Sequence, residues 1–115
     1  MKYYNVHQLA NKLKLEEFIR LELRKRKMRG VNLIIESFEL KCFSNTALGD
    51  VCLDSKWLED IHIEFLKILV SHELDHIQLY RMLYWKSKKL CEKFQKALDE
   101  ELEEAFLKTF GRDKV

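Results

Sequence analysis

Hydrophobic residues recur at three- and four-residue intervals in three segments of the chain, and this spacing predicts three helices. The first covers residues 5–29, with Asn5 as its N-cap and Gly30 directly after its end. The second runs from about residue 55 to residue 86, and the third from about residue 87 to residue 110.

The segment between the first two helices has a different pattern. Residues 31–53 are rich in β-branched and aromatic side chains that partly alternate with polar ones, and the tripeptide LGD at 48–50 is typical of a turn. This pattern predicts two or three short antiparallel strands. The predicted order is helix, small sheet, helix, helix, which is an α+β fold.

Composition narrows the class of protein. We expect residues 1–115 to form one domain, because this length suffices for a single modest core. Hydrophobic residues make up 47% and charged residues 35%, which excludes a disordered chain, and the net charge of +2 does not by itself indicate a polyanionic partner.

The start of the chain lacks the apolar stretch of a signal peptide, and the apolar runs are too short to cross a membrane. The cysteines Cys42, Cys52 and Cys91 form no CxxC pair. These features predict a cytoplasmic protein without a membrane partner.

The pentapeptide HELDH, residues 72–76, lies in an apolar part of the second predicted helix. His72 and His76 stand one turn apart on the same helical face, so both can direct a ring nitrogen at one ion. Glu73 is rotated from His72 by about 100°. It would flank the ion and accept a proton from a water molecule that the metal activates. H-E-x-x-H on a helix is a metallopeptidase signature.

The pattern also has an ordinary interpretation, a core helix that happens to carry histidines. Asp75 argues for it, because proteins with this signature usually have an uncharged residue at that position. Catalytic zinc needs a third protein ligand, and no third histidine follows closely. The acidic stretch 97–111 offers carboxylates, although such a run is also typical of a solvated helix face. Helical phase leaves the choice among Glu100, Glu101 and Glu103 open.

Two further motifs accompany HELDH, namely NTALG at 45–49 and EELEEAFLKTFG at 100–111. In this order they resemble the gluzincin metallopeptidases, and in length the chain is similar to the archaeal minigluzincins. Those proteins are soluble relatives of the catalytic core of CAAX prenyl proteases and bacterial stress-response proteases. Three departures are visible: Thr46 replaces an alanine, Gly49 falls one place early, and Glu103 replaces a small residue.

The resemblance implies a zinc-dependent endopeptidase acting on a peptide or unfolded protein. It also implies a fold of an N-terminal helix, a three-stranded antiparallel sheet, an active-site helix and a glutamate helix. The roles it assigns are Zn²⁺ ligands His72, His76 and Glu100, catalytic base Glu73, support of a ligating histidine by Glu104, and a substrate-binding strand at Asn45, Thr46 and Ala47. Members of that family also occur in latent, zymogen-like forms, blocked by their own chain or by self-association. Latency and a homo-oligomer are therefore open alternatives.

A different class of function has support at residues 9–29, which have some features of a DNA-binding helix-turn-helix. This segment ends in a basic cluster that could neutralise phosphates: Arg24, Lys25, Arg26, Lys27 and Arg29. However, its turn lacks glycine, and basic residues at a helix C-terminus also interact favourably with the helix dipole. We therefore expect no nucleic-acid partner. A third alternative, a metal-free remnant of the peptidase fold, predicts folding that is indifferent to a chelator.

Overall fold

The structure is a computed structural model, and it describes residues 5–60 and 63–110. Its elements are α1 (Val6–Arg26), β1 (Asn32–Glu36), β2 (Cys42–Asn45), β3 (Asp50–Asp54), α2 (Trp57–Asp60), α3 (Ile63–Leu83) and α4 (Lys88–Phe110). The predicted α+β order is confirmed, with the long second helix described as the short α2 followed by α3. None of the helices within the described ranges is long and apolar enough to cross a membrane.

Helix α1 begins as predicted and ends earlier. The Asn5 side chain accepts a hydrogen bond from the Gln8 backbone N–H at 2.8 Å, and the Gln8 side chain accepts one from the Asn5 backbone N–H at 3.1 Å. This capping box satisfies two N–H groups that a helix start leaves unpaired. At the other end Lys27 adopts a left-handed conformation, φ 55°, and the N–H groups of Lys27 and Met28 bond back to the last turn. The helix therefore stops before Gly30 is reached.

The sheet is mixed, so the prediction of an antiparallel sheet is wrong. Its strand order is β1-β3-β2, in which β2 pairs antiparallel with β3 but β1 pairs parallel with β3. A parallel pair needs a long crossover connection, and residues 37–49, which include β2 itself, provide it. Alternation of side chains does not report strand direction, which is why the sequence pattern missed this. Within the described sheet β2 is an edge strand.

The core forms where α1 and α3 pack on the central strand. Its buried members are Leu15, Ile19, Ile35, Val51, Leu53, Leu58, Leu66, Val70, Leu74 and Ile77. The beginning of α1 does not take part, since Val6 is 81% exposed. Helix α4 packs along α3 and contributes the buried Cys91. As a result α3 lies between α1, the sheet and α4, and most of its sides are covered.

A buried cation joins α1 to α3. The Arg26 guanidinium, only 14% exposed, donates to Asp75 Oδ1 at 2.6 Å, to Ser71 Oγ at 3.1 Å and to Gln78 Oε1 at 3.3 Å. Hydrogen bonds of this kind are stronger when one partner is charged. In the sequence, the charge of Asp75 argued against a metal site. The structure explains this charge by the ion pair with Arg26 on α1.

Two glycines make a close approach near the end of α3. Gly30 and Gly49 have φ values of +66° and +79°, in the left-handed region that favours glycine. A Cβ atom at Gly49 would lie 2.6 Å from both the Gly30 carbonyl oxygen and Arg81 Nη2, whereas one at Gly30 would come no closer than 3.9 Å to Arg81 Nη2. Arg81 Nη2 in turn donates to the Gly30 carbonyl at 3.1 Å.

We expect Gly49→Ala to lower the free energy of unfolding by at least about 2 kcal/mol, through the positive φ and the collision with backbone. Gly30→Ala, which has the same φ problem without the collision, should cost only about 1 kcal/mol. Urea unfolding of both variants measures the difference. Equal losses would show that the close approach at Gly49 is unimportant.

Candidate metal centre

His72 and His76 on α3 form the base of the site. Their i and i+4 positions put both rings on one helical face, where their Nε2 atoms are 3.0 Å apart. The rings are perpendicular, with centroids separated by 4.5 Å, and both side chains are buried. The prediction that these two histidines converge is confirmed.

A carboxylate from α4 completes the group. Asp99 Oδ1 lies 2.8 Å from His72 Nε2 and 2.7 Å from His76 Nε2. Around a tetrahedral zinc ion with bonds of about 2.0–2.1 Å, two ligand atoms lie about 3.3 Å apart, which is somewhat more than the separations between these three atoms. Within the described ranges these three residues form the cluster that could hold a metal ion. Because the Asp99 side chain is 68% exposed, the group is open to solvent on that side.

Gln95, one turn before Asp99 on α4, fixes the protonation pattern of His76. Its amide Nε2 donates to the His76 carbonyl oxygen at 3.0 Å, which turns its Oε1 towards His76 Nδ1. An amide oxygen only accepts, so Nδ1 carries the hydrogen and, in the neutral ring, Nε2 carries the lone pair. The lone pair faces His72 and Asp99, as a metal ligand requires. The donor set therefore fits a divalent metal ion.

The electrostatics of Asp99 agree with this arrangement. Burial acts to raise the pKa of the Asp99 carboxyl, but the hydrogen bonds and positive charges that His72 and His76 provide when protonated outweigh it and hold the pKa below its ordinary value. An imidazole lone pair and a carboxylate at 2.7 Å repel each other unless a proton or a metal ion lies between them. The site is therefore built to surround positive charge.

Glu73 lies beside this group and is held by the sheet. Ser44 Oγ on β2 donates to Glu73 Oε1 at 2.9 Å. Burial raises the pKa of Glu73, although the Ser44 hydrogen bond and the nearby His72 and His76 oppose the rise. A buried carboxylate with a raised pKa is a suitable proton acceptor near neutral pH.

A cleft of about 470 Å³ opens on these residues between β2, α3 and α4. Its lining residues are Cys42, Phe43, Ser44, Thr46, Glu73, His76, Tyr80, Tyr84, Cys91, Glu92, Gln95 and Asp99. Burial, with the nearby Glu73 charge, strongly raises the pKa of the Cys42 thiol, so this cysteine is not a nucleophile. Arg81 points elsewhere and donates to the carbonyls of Arg29 and Gly30.

The carboxylate that contacts both histidines belongs to Asp99 and not to the neighbouring Glu100. Consecutive helical residues differ in direction by about 100°, and it is Asp99, one turn after Gln95, that faces α3. Glu104 is exposed as well, and the group that contacts His76 Nδ1 is Gln95. Gln95 and Asp99 were not among the predicted site residues, although Cys91 precedes them at the same four-residue spacing. That polar line beside the apolar stripe was the available signal.

The predicted substrate strand is only partly a strand. Asn45 ends β2, and its side chain accepts from the Leu48 N–H at 3.2 Å. Thr46 and Ala47 lie in the turn that leads to β3, where Thr46 lines the cleft and Ala47 is exposed. Their role in substrate binding stays a prediction.

The basic cluster at the end of α1 is divided. Arg26 is turned inward to Asp75, and Lys25 Nζ lies 3.3 Å from Glu22. The side chains of Arg24, Lys25, Lys27 and Arg29 are exposed. All of the cluster except Arg26 is thus presented to solvent, and DNA binding stays an untested alternative.

No family model, curated protein or solved structure matches this chain. The resemblance to minigluzincins therefore rests on three short motifs. The geometry of His72, His76 and Asp99 stands independently of it, because it follows from side-chain positions alone.

We expect Glu73→Gln to stabilise the metal-free protein at neutral pH. Below its ordinary pKa the carboxyl is neutral in the folded and unfolded chains alike. As the pH rises through the raised pKa of the folded state, a buried charge forms and folded-state stability is lost. Glutamine avoids that charge and keeps an oxygen for Ser44. Urea unfolding should show a more stable variant near pH 7 and no difference at about pH 4, whereas a variant destabilised near pH 7 would contradict this.

Proposed function

We propose that the chain is a zinc-dependent peptidase whose metal ligands are His72, His76 and Asp99. The observation that carries the proposal is the convergence of three ligand atoms within 3.0 Å of one another. The hydrogen bond from His76 Nδ1 to Gln95 supports it, because it leaves the Nε2 lone pair for a metal. Glu73, the acidic residue of the signature, lines the same cleft as His76 and Asp99.

Zinc is the metal that this donor set favours. Two imidazoles and one carboxylate are typical of catalytic zinc sites, which leave a further position for water or substrate. When bound, zinc supplies Lewis-acid polarisation of a carbonyl and lowers the pKa of water. The exposed side of Asp99 provides the access that such a site requires.

Glu73 is the proposed general base. Its buried carboxyl is held by Ser44 and has a raised pKa, so it can accept a proton from the attacking water and later transfer it to the departing amine. The hydrogen bond from Ser44 fixes the carboxylate while leaving its other oxygen for this transfer. No further ionisable group is needed for the proton to travel from water to product.

The substrate is proposed to be a peptide or an unfolded protein that lies along β2. Within the described sheet this strand is an edge, so its outer backbone groups can pair with an extended chain. Ser44 connects β2 to Glu73, which places the strand beside the proposed base. The residues nearest the cleft are Cys42, Phe43 and Ser44, with Thr46 following in the turn.

We expect purified protein to bind about one zinc ion per chain. His76→Ala and Asp99→Ala should each abolish or severely weaken binding, because each removes a ligand atom. The matched control is Glu100→Ala, which should keep its zinc. Metal analysis after reconstitution and dialysis measures the content. Loss of zinc in Glu100→Ala but not in Asp99→Ala would restore Glu100 as the ligand, and no zinc in the wild type would refute the metal site.

We expect the zinc-loaded protein to cleave an unfolded protein substrate, and Glu73→Gln to lower kcat by at least about 100-fold, the usual size of a lost general base. The variant should retain zinc, since Glu73 is not a ligand. Fluorescence release from a quenched, unfolded substrate measures the rate, with chelator as the control. Zinc binding without turnover in the wild type, at several protein concentrations, would indicate a latent form. If a chelator changes neither the folding of the chain nor any activity, the chain would be a metal-free remnant of the peptidase fold.

A further inference from the structure

Two tyrosines extend the metal-site face of α3. His76 and Tyr80 stand one turn apart on α3. Tyr84 follows directly after the end of this helix, where its N–H donates to the Tyr80 carbonyl at 3.0 Å. The rings of Tyr80 and Tyr84 are stacked, with centroids 4.5 Å apart and an angle of 25° between their planes. Both line the cleft. We call this pair the aromatic shelf.

Part of the cleft around the aromatic shelf is apolar. Phe43 on β2 and the thiols of Cys42 and Cys91 line the same cleft. Burial raises the pKa of Cys42, so its sulfur is an uncharged contact. Stacked tyrosines in such surroundings offer a flat surface to an apolar side chain, while each hydroxyl keeps a polar end for water or backbone.

The charges that line the cleft all have one sign. Glu73, Glu92 and Asp99 are acidic, and among the described lining residues there is no lysine or arginine. Aromatic rings present their electron-rich faces, which attract cations weakly and repel anions. An acidic side chain that lies on the aromatic shelf would therefore find no lysine or arginine among the described lining residues to pair with.

We propose that the aromatic shelf binds a large apolar side chain of an extended peptide, aromatic ones best, and that the cleft discriminates against acidic residues at that position. In the peptidase this would select the residue next to the cleaved bond, and that role rests on the proposed function. Binding itself depends only on Tyr80, Tyr84 and the apolar side chains that line the same cleft. The shelf is thus a specificity site whose occupant can be measured without turnover.

The test compares binding of four labelled, unstructured peptides that differ at one position: Phe, Leu, Ala or Asp. Fluorescence anisotropy gives each Kd with the Glu73→Gln protein, with and without zinc, so that no peptide is cleaved. We expect the Phe peptide to bind about tenfold tighter than the Ala peptide, and the Asp peptide to bind more weakly than either. Equal Kd values for Phe and Ala would overturn the proposal.

Variants then locate the preference. Tyr84→Ala should remove it, and Tyr84→Phe should keep it because the ring face remains. Tyr84→Leu, which fills similar space without an aromatic face, serves if the alanine variant does not fold, and it should weaken the preference for Phe over Leu peptides. The matched control is Met82→Ala, at a position that is 64% exposed and does not line this cleft. A preference unchanged in Tyr84→Ala would place the aromatic subsite elsewhere.

The two proposals fail in different ways. A preference for Phe in binding, together with no cleavage by the zinc-loaded wild type, refutes the peptidase and keeps the shelf. Cleavage of matched Phe and Ala substrates with the same kcat/KM, together with equal Kd values, refutes the shelf and keeps the peptidase.

Discussion

The site depends on keeping three lone-pair atoms together where they would otherwise repel. Two imidazole nitrogens and a carboxylate oxygen lie within 3.0 Å of one another, and only a shared positive charge makes that distance favourable. Two of the atoms come from adjacent turns of α3 and the third from α4. The position of α4 on α3 therefore determines how close the carboxylate lies to the two histidines. Gln95 helps to hold α4 in this position by contacting both the ring and the backbone of His76.

Helix α3 can carry this polar group because its other sides are otherwise occupied. Leu66, Val70, Leu74 and Ile77 face the core, while Asp75 faces Arg26 of α1. Glu73 is turned to the sheet, where Ser44 donates a hydrogen bond to its carboxylate. The polar residues of HELDH thus have partners on three elements, α4 for both histidines, β2 for Glu73 and α1 for Asp75, which is how an apolar helix accommodates them.

What the sequence could predict is what a single helix determines. The relative positions of His72, Glu73 and His76 follow from helical spacing, and the capping of α1 by Asn5 and the extent of α4 were predicted from sequence signals at the helix ends and from periodicity. The second predicted helix, by contrast, is described as α2 and α3. The identity of the carboxylate beside the histidines was harder to predict, because the rotation of α4 about its axis is set by packing against α3. Asp99 and Glu100 are neighbours in the sequence, so a small error in that rotation exchanges one for the other. The direction of β1 was inaccessible for a similar reason. It depends on how residues 37–49 cross the sheet, which alternation does not encode.

The amide of Gln95 also has a consequence for the strength of the site. Ligating histidines are commonly supported by a carboxylate, which pushes electron density through the ring and makes it a better donor. A neutral amide supports His76 without that push. A metal ion held here would keep more of its positive charge and act as a stronger Lewis acid, but it would also leave more readily. The chain would then exchange its metal with the surroundings, and metal supply would set the fraction of molecules in the loaded state.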